Sequence, residues 1–207
     1  MKKIDKYKLA SLPLTLFFAL GIVGSAAAVD VNKLVKDECA DCHENDGNST
    51  DGETPSIAGM SVDYFVESMG AYKTDARPAL KLKDKKTDMK EVVNKLSDED
   101  IQALAAYFAK QQFKPLKQKF DPGLAKVGKK LHRKYCDKCH SEGGTSAEDD
   151  AGILAGQPIS YLQYSMDNYA SGKREMGKKM AKKFKKMQKK AGDEGIVQLI
   201  HYYASQQ

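Results

Sequence analysis

Two five-residue stretches, CADCH at residues 39–43 and CDKCH at residues 136–140, constrain this chain more than any other feature. Together they contain all four cysteines of the 207 residues, and the second follows the first at an offset of 97. The same offset carries Ala58-Gly59 onto Ala155-Gly156, Tyr64 onto Tyr161, Met69 onto Met166, Tyr72 onto Tyr169 and Arg77 onto Arg174. Nine matches at one offset imply a duplicated structural unit. Farther along the offset slips to 95, where AAYFA at 105–109 matches IHYYA at 200–204.

Two cysteines separated by two residues can present both sulfurs to one porphyrin edge, where they form thioethers with the vinyl groups. The adjacent histidine is then held against the iron as an axial ligand. Zinc knuckles also use CxxC pairs, and two such motifs could share one ion. A CxxC redox pair needs a βαβ setting, which the sequence does not offer. Two copies in a helical duplicate favour haem. The expectation is two covalently bound haem c groups, on Cys39 and Cys42 and on Cys136 and Cys139, with His43 and His140 on the irons.

An electron-transfer haem favours methionine as its sixth ligand, because a thioether raises the potential. Met60 and Met69 sit among apolar helical residues and read as packing. Met89 lies in the charged stretch LKDKKTDMKEV and has no packing reason there, so it is the expected ligand. In the second unit Met176, Met180 and Met187 compete. Val93 and Leu96 follow Met89 at +4 and +7, and Phe184 and Met187 follow Met180 likewise. That register makes Met180 the ligand, Met187 a core residue and Met176 the reserve. His132 and His201 read as helix-face residues.

The chain opens with Lys2, Lys3, Lys6 and Lys8, an apolar run broken by Pro13, and small residues ending at Ala28. This is the pattern of an export signal, with too short an apolar run to span a bilayer. The expected mature protein is periplasmic, with no transmembrane segment. Its units are 29–113 and 123–207, joined by a linker at 114–122 that contains Pro115 and Pro122. Each is near the size at which a core needs help from a cofactor. Both read as helices joined by polar loops, an all-α fold. SDEDIQALAAYFAKQ starts with a Ser97 cap and Asp100 three residues on. A final helix is expected from about Asp193 to Ser205.

The export signal, CADCH, the IAG segment, Met89, LSDEDIQALAAYFA and the second copy resemble the two-haem class I cytochromes c across the mature chain. The resemblance implies two tandem domains, each wrapped around one haem. It also implies a backbone carbonyl that orients the ligand histidine, which Pro55 would supply to His43. The equivalent position for His140 is Gly152. Within the family, YCDKCHSEGG, ILAGQP, KKMAKKF and YYASQQ are similar to the cytochrome subunit of flavocytochrome c sulfide dehydrogenase. On that resemblance a flavoprotein subunit would oxidise sulfide and pass electrons to one haem. They would leave by the other to a soluble acceptor, and the chain itself would perform no catalysis. A free two-haem cytochrome feeding a terminal oxidase or reductase is the alternative. A haem enzyme or gas sensor would need one iron left open, which a methionine on each iron argues against.

Charge divides the chain. Residues 29–113 carry 11 basic and 17 acidic side chains, and residues 114–207 carry 19 and 10. Ten of the basic residues fall within 173–190, beside a single glutamate. Such a run is either a solvated helix face, an electrostatic dock for an acidic partner, or a rest on anionic lipid. Export and the lack of interleaved aromatics argue against nucleic acid.

Overall fold

The computed structural model describes residues 29–207; the export signal expected at 1–28 lies outside them. The described residues form helices and loops, with no strand among them. The first unit contains α1 (Val31–Leu34), α2 (Ala40–His43), α3 (Val62–Lys73), α4 (Met89–Val93) and α5 (Asp98–Phe108). The second contains α6 (Pro122–Tyr135), α7 (Ile159–Ala170), α8 (Lys178–Ala191) and α9 (Glu194–Ala204). A π-helical stretch, Val35–Cys39, joins α1 to α2 and delivers Cys39 to the start of the first motif.

Helix starts follow local chemistry. Ser97 and Asp100 form a reciprocal capping box at α5, which satisfies two otherwise orphaned N–H groups. Asp88 caps α4 by accepting from Glu91 N at 3.0 Å. Asp121 accepts from Gly123 N and Leu124 N at 2.7 and 2.9 Å, with Pro122 inside the first turn of α6. The first helix of the second unit therefore begins at Pro122. Proline's fixed φ and missing donor suit that position.

Each unit has its own core. Val35, Phe65, Val93, Leu104 and Phe108 form the first, and Leu162, Met187, Leu199, Ile200 and Tyr203 the second. The duplication extends to main-chain bonds. Ile57 N and Ala58 N donate to Gly47 O, as Leu154 N and Ala155 N donate to Gly144 O. Gly59 N reaches Phe108 O at 2.8 Å, and Gly156 N reaches Tyr203 O at 2.9 Å. Gly59 and Gly156 sit at φ +68° and +67°, a left-handed conformation that favours glycine. These bonds tie the loop after each CxxCH motif to the last helix of its unit.

The connecting segment is pinned at both ends. Lys114 N donates to Asn48 Oδ1 at 2.7 Å in the first unit, and Gln118 Nε2 donates to Gln157 O at 2.8 Å in the second.

Candidate haem sites

In the first unit the π stretch and α2 place Cys39, Cys42 and His43 on the wall of a cavity of about 470 Å³. That volume falls in the range of small-molecule and cofactor sites. Met89, at the first turn of α4, lines the same cavity. Met60 and Met69 line it too, and both are buried. Met69 lies in α3 as a packing residue would, whereas Met60 lies in a loop outside any helix. Met89 is half-buried and packs against the first core from the start of a helix, so the charged stretch around it is not wholly a loop.

His43 is buried, and its Nδ1–H donates to the Pro55 carbonyl at 2.8 Å, as the resemblance implied. Burial lowers its pKa, and the Pro55 bond opposes that shift. The ring is thus neutral with Nε2 left free, the form that binds a metal. Burial pushes the Cys39 thiol up to about 12, so it is no thiolate at neutral pH. A poised redox cysteine requires the opposite.

Arg77 also lines this cavity. It is only 7% exposed, its guanidinium lies 4.6 Å from the centre of the Tyr72 ring, and Nη2 donates to Tyr161 OH at 2.8 Å. Among the described residues no carboxylate pairs with it. A buried cation on a cavity wall calls for an anionic group inside. A haem carries two carboxylates, so the thiols, the histidine and the buried cation that line the cavity all suit it. In the sequence Arg77 is marked only by its place in the repeat, which it shares with Tyr64 and Tyr72.

The second unit repeats the pattern with changes. None of the four cysteines, Cys136 and Cys139 or Cys39 and Cys42, is paired in a disulfide. Burial pushes Cys136 up to about 11, while Tyr203 and the charge of Lys183 on α8 pull it down. Arg174 lies 4.5 Å from the centre of the Tyr169 ring, matching Arg77 on Tyr72. His140 is held neutral by burial, with the neighbouring His132 acting in the same direction. The Gly152 carbonyl lies close enough to favour its protonated form, yet Nδ1 is buried without a hydrogen-bond partner. Met187 is buried at 1% exposure, whereas Met176 and Met180 are half-buried around the start of α8.

The remaining histidines are engaged elsewhere. His132 is fully buried between Tyr203 OH and Asp137 Oδ1, each at 3.1 Å, and His201 Nδ1 accepts from Asp121 N at 3.0 Å. Among the described residues no group of three His, Cys, Asp or Glu side chains converges as a zinc site requires. None of the described helices is long and apolar enough to cross a membrane.

Comparison with known proteins agrees with this geometry. The family model described as Cytochrome c matches residues 28–112. The chain is 32% identical over 178 residues to cytochrome c4 of Azotobacter vinelandii, covering 77% of this chain and 82% of that one. Reduced recombinant cytochrome c4 from Pseudomonas stutzeri has a similar fold, with a TM-score of 0.69 and 24% identity over 87% of this chain and 98% of that one. Thiosulfate dehydrogenase (TsdBA) from Marichromatium purpuratum shares the fold at a TM-score of 0.65 and 24% identity, over 82% of this chain and 36% of that one.

Proposed function

Because the chain belongs to the cytochrome c family and carries two covalently bound haem c groups, one per unit, we propose that it is a periplasmic carrier of single electrons. The observation that carries this reading is the first cavity, whose wall holds both thiols, a carbonyl-held neutral histidine, a methionine and an unpaired arginine. Haem iron supplies the one-electron chemistry. The protein's residues do the rest. Cys39, Cys42, Cys136 and Cys139 tether the groups, and His43 and His140 hold the irons. Met89 and Met180 complete the ligand sets. Arg77 and Arg174 compensate acidic groups, and the apolar walls keep water out. No part of this role needs a substrate pocket.

A narrower reading is carried by the second-half motifs YCDKCHSEGG and KKMAKKF. In it the chain is the haem subunit of a sulfide dehydrogenase, fed by a flavoprotein subunit. A free carrier serving a terminal oxidase or reductase uses the same ligands. Denatured protein should retain two haems by mass, and Cys136→Ala with Cys139→Ala should leave one. Zinc without haem mass would overturn the carrier reading. Purification from the native host separates the two forms: a flavoprotein that stays bound supports the subunit, and a lone chain supports the free carrier.

A further inference from the structure

We infer that Gln157 of the second unit is a positioning residue for the axial histidine of the first. Gln157 is fully buried in the turn before α7, and its amide reaches across to the other unit. Oε1 accepts from Ser56 N at 2.9 Å, and Nε2 donates to Ser56 O at 2.9 Å and to Ile153 O at 3.3 Å. The Ser56 N–H and the Pro55 carbonyl are the two ends of one planar peptide group. That carbonyl receives the His43 Nδ1–H at 2.8 Å. A continuous chain of hydrogen bonds thus runs from Gln157 through a single peptide to the ligand ring. Bonds in such a chain polarise one another, so the grip at one end strengthens the bond at the other.

The arrangement is one-sided. At the offset of 97 the counterpart of Gln157 is Met60, which has no amide, and the counterpart of Ser56 is Ile153. At Gly152 the first unit packs the Tyr64 ring so closely that a Cβ there would lie 2.5 Å from its Cζ. That contact is one of shape, and His140 Nδ1 stays unpartnered. A histidine whose N–H is firmly accepted is a more basic ligand. A more basic ligand favours the oxidised, more positive iron. Gln157 therefore holds the first haem at a lower potential than its own unit alone would set, and makes the two haems unlike.

The inference rests on the two-haem reading. Failure of that reading would show in the wild type, as missing haem mass or a missing low-spin spectrum. The test is a redox titration of intact two-haem Gln157→Leu protein, with each haem followed by its own NMR signals. The first haem should become easier to reduce, by three- to tenfold in the oxidised-to-reduced ratio, or about 30–60 mV for one electron. The second should not move. Ser160→Ala removes a different bond across the same boundary, from Ser160 Oγ to the Gly52 carbonyl, and should leave both potentials unchanged. Equal shifts of both haems in Gln157→Leu, no shift, or the same shift in Ser160→Ala would overturn the inference. If Gln157→Leu does not fold, wild-type protein still decides: the His43 Nδ1–H should exchange with solvent more slowly than that of His140, and similar rates would overturn it.

Discussion

At the scale of single residues, the methionines divide by what surrounds them. Met187 was read as core from its spacing to Met180, and it is among the most buried side chains of the second unit. Met89 and Met180 both begin helices and are half-buried, a placement that leaves a thioether able to reach a neighbouring site. Met89→Ala should lower the potential of the first haem, and Met180→Ala that of the second, because each removes the soft ligand that favours reduced iron. Each variant should also bind carbon monoxide at one iron, which visible spectra of the reduced protein would report. Loss of the second methionine ligation in Met176→Ala, with Met180→Ala unaffected, would move the ligand four residues back. The sequence could rank these residues only by register. Three methionines, Met60, Met69 and Met89, share one cavity wall, a convergence set by tertiary packing and invisible to periodicity.

At the scale of elements, the helices and their caps were legible because the signals are local: Ser97 with Asp100, and the apolar period of the last helix of each unit. The crossing of α6 and α9 was not, since it depends on how closely two main chains approach. Gly128, inside α6, sets that distance. A Cβ there would lie 1.9 Å from the Gln198 carbonyl oxygen and 2.8 Å from Tyr202 Cβ. Alanine is a better helix former than glycine by about 1 kcal/mol, whereas overpacking costs about 1–3 kcal/mol or more. The clash wins, because the obstructing atom is backbone and has no rotamer to escape into. Gly128→Ala should destabilise the second unit and spare the first, which thermal melts followed at each haem would resolve. A uniform loss in both units would mean that they unfold together. The π stretch before Cys39 was likewise hidden, since one extra residue per turn leaves no mark in the apolar pattern.

At the scale of the whole molecule, the two units were legible as copies, but their boundary was not. The cluster of Tyr72, Arg77, Tyr161, Tyr169 and Arg174 lies between them, and its members appear in the sequence only as repeats of unknown purpose. Charge, by contrast, was legible and carries the last prediction. The first unit is net acidic and the second net basic, and α8 concentrates eight lysines within fourteen residues. Phe184 and Met187 turn inward to the core, so the helix has spent its apolar face and has little left to insert into lipid. Lys182, Lys183, Lys185 and Lys186 are exposed and form no ion pair among the described residues, and the charge of Lys183 reaches Cys136. A field of this kind beside a haem can raise association rates with an acidic partner by about 10 to 10³ at low ionic strength. Salt screens it over about 10 Å at 0.1 M. Reversing those four lysines to glutamate should therefore slow electron exchange with an acidic acceptor, most at low salt, with the gap to wild type closing as salt rises. Haem content should stay close to wild type, because these side chains are exposed, while the potential of the second haem should fall, since the charge of Lys183 reaches Cys136. Equal rates at low salt would reduce the run to a solvated face. Loss of a bound flavoprotein, with exchange to the soluble acceptor intact, would instead place the electron donor on this side of the molecule.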